Sequence, residues 1–374
     1  MHSRQLPEML YSAWVLRMNK KHYIIPIFVP HKGCPHDCIF CNQKKITGQI
    51  GEVTAGEVKL KIEEYLATIP KDSSHIEVAF YGGSFTAISL DYQKELLEAA
   101  FSYVEEARIE SIRVSTRPDC IDTDIADNLK KYGVEIVELG VQSMDEDVLK
   151  SCNRGHTSQE VVEAVGLLKE YGFTVGVQMM IGLPVDSEEK ALRTAKELIS
   201  LKPDIARIYP ALVIKNTYME EMYLKGEYQP LTLEAAVSES KKLLILFEGN
   251  GIKVIRIGLQ PTENILLGKD VVAGPFHPAI RHLVESLVYR DIIVYLLGKT
   301  GEKHKDITLK VNPKNISELV GHKKSNINYI QSKFFIDKLE ILQDEYVETG
   351  TIVLINGEKN IYMSKCDYYS ISSK

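Results

Sequence analysis

Three of the chain's six cysteines fall within eight residues, in the stretch "VPHKGCPHDCIFCNQKKITG" (29–48). They are Cys34, Cys38 and Cys41, spaced Cys-x3-Cys-x2-Cys. Thiols crowded in this way bind metal or do redox chemistry. A structural zinc site takes four ligands, usually as two pairs. The other cysteines, Cys120, Cys152 and Cys366, are scattered and supply no second Cys-x2-Cys pair. They leave His31 and His36 as the residues able to complete a zinc site. A [4Fe–4S] cluster usually has four thiolates. With three, one iron keeps an open position that a small molecule can occupy. Cys120 and Cys152 read as small buried hydrophobes.

This spacing, with the aromatic Phe40 before the last cysteine, resembles the signature loop of the radical S-adenosylmethionine (radical SAM) superfamily. The resemblance implies a [4Fe–4S] cluster on Cys34, Cys38 and Cys41. It also implies S-adenosyl-L-methionine chelated on the open iron through its amino and carboxylate groups.

Such a loop has to be positioned by regular elements. "HYIIPIFV" (22–29) reads as a buried strand leading into it. Strand-like runs then alternate with helix-like ones. "IEVAFY" (76–81) precedes a helix near 89–106, and "SIRVS" (111–115) one near 122–131. "EIVELG" (135–140) precedes "SQEVVEAVGLLKEYG", and "FTVGVQMM" (173–180) precedes "SEEKALRTAKELISL". "DIARIYP" (204–210) precedes a helix near 232–249. This alternation predicts βαβ units and a parallel sheet, an α/β fold. Six units fit a partial (β/α)6 barrel, and the pattern alone equally admits a doubly wound sheet. The resemblance implies the open six-stranded barrel of the radical SAM type.

In such a barrel the C-terminal strand ends form the active site. "YGGSFT" follows the second strand, where Gly82 and Gly83 let backbone approach a ligand closely. The resemblance implies contact there with the methionyl amino group; Ser84 stands where the family often has an acidic residue. Thr116 and Arg117, beside Ser115 and Asp119, follow the third strand. Glu138 and Gln142 close the fourth, and a Gln amide can both donate and accept. "CNRGHT" carries Arg154 and His156, and an Arg can fork onto a carboxylate. Gln178 ends the fifth strand. The expected cofactor contacts are therefore Gly82, Gly83, Ser84, Thr116, Arg117, Gln142, Arg154 and Gln178, with no catalytic residue assigned.

The ordered set "YGGSFT … STRPD … ELGVQS … NRGHT … MMIGLP … RIYPALVIKNTYMEEMYLKGEYQPLTLEAA" resembles, over about residues 20–260, the radical-SAM half of the Elongator catalytic subunit family, which modifies tRNA wobble uridines. It is similar more loosely to oxygen-independent coproporphyrinogen oxidases. The gap between the first two cysteines is shorter than in the Elongator relatives. The chain also leaves no room for their acetyltransferase domain, so acetyl-CoA-dependent carboxymethylation is not expected. The implied activity is cleavage of S-adenosylmethionine to a 5′-deoxyadenosyl radical that takes hydrogen from a substrate, tRNA or another RNA. Alternatives are the same chemistry on a small molecule such as a tetrapyrrole, or a non-catalytic iron–sulfur or zinc protein that binds RNA. The implied electron source is a one-electron donor of the flavodoxin or ferredoxin type.

Composition bounds the partners. At 374 residues the chain is long enough for a large domain and a small one. The expected division is an N-terminal extension (1–22), the barrel (23–260), a helical extension and linker (261–300) and a small C-terminal α/β domain (301–374). No apolar leader and no run of about 18 apolar residues is found, so a cytoplasmic protein without membrane contact is expected. The net charge of −6 argues against indiscriminate nucleic-acid binding. Yet Lys303 to Lys333 holds seven lysines against Asp306 and Glu318, a local charge of +5. That tail reads strand ("ITLKV"), helix, helix, strand ("DKLEILQ"), with "GHKK" (321–324) between the helices. It resembles a KH module, whose GXXG loop clamps backbone nucleotides, with Lys324 at the second Gly position. The competing reading is a small cap on the open barrel. His277 and His282, just before this tail, are candidates for the substrate side.

Overall fold

The computed structural model describes residues 21–29, 36–42, 51, 53–70, 74–261, 265–300 and 306–373. The chain divides into two compact units, Met1–Val141 with Asn153–Val177, and Gln142–Cys152 with Gln178–Lys374. In chain order the strands are β1 (Lys21–Val29), β2 (Ser74–Gly82), β3 (Ser111–Thr116), β4 (Val134–Gln142), β5 (Thr174–Ile181), β6 (Ile205–Pro210), β7 (Val213–Ile214), β8 (Lys253–Ile257), β9 (Val271–Ala273), β10 (Asp306–Val311), β11 (Lys338–Gln343), β12 (Thr351–Asn356) and β13 (Lys359–Ser364). A seven-stranded sheet runs β1-β2-β3-β4-β5-β6-β8. The pairs β1–β2, β2–β3, β3–β4 and β6–β8 are parallel. Helices Ala55–Leu66, Leu90–Glu105, Thr123–Lys131, Ser158–Glu170, Glu188–Ser200 and Leu233–Gly249 alternate with the strands. The arrangement fits a partial (β/α) barrel, with each expected strand in place and β8 as an additional seventh.

The strands behave as a buried parallel sheet requires. Val78, Ala79 and Phe80 of β2 and Ile112 and Val114 of β3 are fully buried on successive faces. Such strands read as continuous apolar runs because both faces of a parallel sheet are withdrawn from water. The exceptions are charged and paired. Arg113 donates from Nε (3.0 Å) and Nη2 (2.7 Å) to Glu77 Oε2, and from Nη1 to Glu138 Oε1. The register sets Arg113 beside Ala79 and Glu138 beside Ser115. The three charges therefore step diagonally along one sheet face, one pleat per strand. Glu138, expected near the cofactor contacts, is committed to this ion cluster.

In the second unit, β7 pairs with β9, and the C-terminal strands form a sheet of order β11-β10-β12-β13. There β10 and β11 are parallel, while β12 runs antiparallel to both β10 and β13. Helices Ile316–Val320 and Ser325–Phe334 connect β10 to β11, as the strand–helix–helix–strand reading expects. The hairpin β12–β13 and the helix Lys365–Ser372 complete the domain. Between the two helices the backbone is left-handed at Gly321 (φ 76°), Lys323 (φ 51°) and Lys324 (φ 62°). The following Asn326 is fully buried. Its Nδ2 donates to the carbonyls of Ser286 (2.7 Å), Glu318 (3.1 Å) and Leu319 (3.2 Å). Ser286 belongs to the long helix Ile280–Thr300, so one amide ties three helices.

Replacing Asn326 by Leu strips these carbonyls of a buried donor. The expected loss is about 1–3 kcal/mol of unfolding free energy. Urea unfolding that leaves the midpoint unchanged would show that the carbonyls find other partners.

Candidate functional site

In the first unit the cysteine loop meets two arginines. Cys38 is buried and Cys41 half-buried, with Cys41 N–H donating to Cys38 C=O at 3.0 Å in a single turn. Arg154 Nη1 donates to Cys38 Sγ at 3.3 Å, and its Nη2 donates to Gly140 C=O. Arg117 Nη1 lies 3.9 Å from the same sulfur. Arg117 Nε and Nη2 grip Asp119 at 2.9 and 3.0 Å, and Nη2 also donates to the Arg154 carbonyl. Both guanidiniums are buried. Two guanidinium groups thus converge on one buried sulfur, and a metal-bound cysteine is a thiolate.

Local sequence explains the placement of Arg154. Thr157 and Glu160 form a capping box at the start of helix Ser158–Glu170, which fixes the loop just ahead of it. The signal was legible as Thr-x-x-Glu. Asn153 Nδ2 donates to Asp37 C=O at 3.0 Å, tying the two loops together. Gly155 (φ 79°) lies so close to His36 that a Cβ would stand 2.3 Å from the ring. Only glycine permits this approach.

Ser84 and Thr116 act on each other. Thr86 Oγ1 donates to Cys120 C=O (2.6 Å), so it accepts from Thr116 Oγ1 (2.5 Å), which in turn accepts from Ser84 Oγ (2.8 Å). Ser84 Oγ also accepts from Arg117 N–H at 3.2 Å. This directed chain joins the ends of β2 and β3 and sets the backbone from which Arg117 projects. Thr86 was not anticipated. Gly82 (φ 112°) crosses Val29, where a Cβ would stand 2.4 Å from the carbonyl oxygen. Gly83 N–H donates to that oxygen at 3.3 Å. Cys120 is half-buried, against the expectation of a buried hydrophobe, whereas Cys152 is buried. Cys34 and His31 lie outside the described residues.

In the second unit, Gln142 and Gln178 come together, with Gln178 Nε2 donating to Gln142 Oε1 at 3.1 Å. Gln142 is buried and has φ 69°, a left-handed conformation uncommon outside glycine. Of the two candidate substrate-side histidines in this unit, His277 lies 6.1 Å, ring to ring, from His322. His282 Nδ1 faces Glu318 at 3.7 Å.

The Radical SAM superfamily model matches residues 28–198, and the Radical_SAM C-terminal domain model matches 203–290. This chain belongs to the radical SAM superfamily. It is 30% identical to the tRNA uridine(34) acetyltransferase of Methanocaldococcus jannaschii over 57% of this chain and 47% of that protein. It is 31% identical to the Elongator complex protein 3 of Schizosaccharomyces pombe over 77% of this chain and 51% of that one. The chain thus spans about half the length of these curated relatives. The solved structure of the archaeal Elp3 of Methanocaldococcus infernus, in an N-terminally deleted form, superposes with a TM-score of 0.57 at 25% identity, covering 76% of this chain and 64% of that one.

For this radical SAM protein the family implies a [4Fe–4S] cluster and S-adenosylmethionine, and the described residues fit them. Arg154 Nε is buried with no hydrogen-bond partner among the described residues. Arg154 is the residue whose Nη1 meets the Cys38 sulfur. Burial, with the charges of Arg154 and Arg117 beside it, holds His156 down to about 3 from its ordinary 6.5. It is a neutral imidazole at any working pH.

A histidine kept neutral in the fold takes up a proton on unfolding. Its contribution to stability is complete above pH 6.5 and is lost as pH falls from 6.5 toward 3, at about 1.36 kcal/mol per pKa unit. His156→Phe should flatten the acid limb of stability in that window, measured as urea midpoints across pH. Parallel pH profiles for parent and variant would return the acid sensitivity to other groups.

Proposed function

We propose that this radical SAM protein is an RNA-modifying enzyme that holds a [4Fe–4S] cluster on Cys34, Cys38 and Cys41, with tRNA as the substrate class. The observation that carries the reading is the buried Cys38 sulfur with Arg154 and Arg117 directed at it. Bound there, the group would supply reductive cleavage of S-adenosylmethionine and, through it, radical hydrogen abstraction from the substrate. The chain's own residues do the positioning. Arg154 and Arg117 hold the Cys38 sulfur in place. The Ser84–Thr116–Thr86 chain fixes the strand ends that carry Gly83 and Arg117. Gln142 and Gln178 offer amide donors and acceptors for the polar groups of S-adenosylmethionine.

Relatives named as tRNA uridine(34) acetyltransferases support tRNA as the substrate. So does the small C-terminal domain, where exposed His322, Lys323 and Lys324 stand on the turn between two helices. In this reading that turn grips a phosphate backbone, as a KH module does.

Anaerobic reconstitution should give about four irons per chain, and reductant with S-adenosylmethionine should release 5′-deoxyadenosine. Cys38→Ala should lose both; a variant that keeps a full cluster would remove Cys38 from the ligand set.

Substituting Lys323 and Lys324 by Ala should weaken tRNA binding and flatten its log–log salt slope by roughly 1.4–1.8 units while cleavage without substrate persists. An unchanged slope and affinity would sink the role of the turn. Absence of RNA affinity in the parent would move a small-molecule substrate to first place.

A further inference from the structure

One other group of metal-ligating side chains converges among the described residues, and the proposed activity makes no use of it. His22, His75 and Glu77 bring their ligand atoms within 4.8 Å of one another. The sheet itself arranges this. The parallel register of β1 and β2 pairs His22 with His75, and Glu77 follows His75 by two residues on the same face. The group stands at the strand starts. β1 runs about 23 Å from His22 to Val29, at the usual strand rise, before the cysteine loop begins.

The distances are informative. His22 Nε2 lies 3.2 Å and His75 Nε2 3.5 Å from the same oxygen, Glu77 Oε1. A charge-assisted hydrogen bond would close to about 2.7–2.9 Å. Ligand atoms on a tetrahedral ion with bonds of about 2.0–2.1 Å stand roughly 3.3 Å apart, which the two distances to Glu77 match. The two imidazoles, 5.2 Å apart and tilted by 49°, converge on one carboxylate oxygen.

The surroundings are those of a built site. Glu77 is buried, and its other oxygen is fixed by Arg113 at 2.7 and 3.0 Å, an outer contact of the kind that orients ligating carboxylates. The side chains grade outward from Glu77 (4% exposed) through His75 (24%) to His22 (43%), so an ion can enter from solvent and keep water on its remaining positions.

We propose that His22, His75 and Glu77 form a divalent transition-metal site, separate from the cysteine loop, that clamps the start of β1 to β2. Two imidazoles and one carboxylate suit zinc and its first-row neighbours.

The test uses the cluster-loaded chain, so that the cysteines are occupied, equilibrated with Zn²⁺ and freed of excess by gel filtration. Zinc and iron are counted separately by elemental analysis, and the melting temperature is followed. The parent should retain about one zinc per chain and melt higher with it than without. His75→Ala and His22→Ala should each lose the zinc and the zinc-dependent rise in melting temperature at unchanged iron content. Should His75→Ala fail to fold, His22→Ala, at the more exposed position, decides. A parent that retains no zinc, or variants that retain as much as the parent, would overturn the proposal and leave a hydrogen-bonded His–Glu–His group. Because iron is counted independently, loss of the cluster would count against the cysteine assignment and not against this site.

Discussion

Parallel pairing of the first four strands is the constraint on which the rest of the first unit depends. Parallel neighbours deliver all their C-terminal ends to one edge, so Val29, Gly82 and Thr116 emerge side by side. Chains leaving one edge must pass each other closely. Gly82 crosses over Val29 where no Cβ fits, and Gly155 meets His36 in the same way. Small or hydroxyl side chains fill the space that remains. The Ser84–Thr116–Thr86 chain satisfies three buried hydroxyls at once and ends on the Cys120 carbonyl. A fully satisfied network of this kind is rigid, and it holds Arg117 in the geometry that meets Cys38.

Charge is managed differently at the two ends of these strands. At the strand starts, Arg113 is matched by two carboxylates, Glu77 and Glu138. Removing one partner of such a buried set costs about 3–5 kcal/mol, because it strands the other. At the strand ends the balance tips the other way. Arg117 is matched by Asp119, whereas Arg154 donates to the Gly140 carbonyl and the Cys38 sulfur. The nearby imidazole of His156 is held neutral and adds no positive charge. A buried guanidinium beside a sulfur is a favourable arrangement when the sulfur is an anion, which is the form metal ligation needs.

The strands of the barrel were legible because each buried run is bracketed by turn residues and followed by a helix of 3.6 period. β8 escaped: "KVIRI" is five residues long and carries Lys253 and Arg256, so it lacks the apolar run of its neighbours. The β12–β13 hairpin had a signal in Asn356-Gly357, and Gly357 indeed has φ 62°. The cysteines and Arg154 could be singled out from residue type and position. Ser84 and Thr116 could be placed at the strand ends but not given their partners, because that needs Thr86, thirty residues from Thr116. Glu138 was placed at the end of the fourth strand without a partner, because only the register shows that Arg113 is there to receive it.

The turn at 321–324 invites the same reasoning from strain. Lys323 and Lys324 both hold left-handed backbone, which costs an ordinary side chain roughly 1–2 kcal/mol each. A solvated surface loop has no reason to keep two such residues in succession. Here the flanking structure enforces them. Gly321 sits where a Cβ would crowd Ser325 and Asn326, and the buried Asn326 amide anchors the helix that follows. The result is a short turn of fixed backbone that holds two lysines out to solvent. Preorganisation of that kind reduces the entropic cost of gripping an extended anion. A flexible lysine tail would attract phosphates by charge alone, but would have to order itself to hold them.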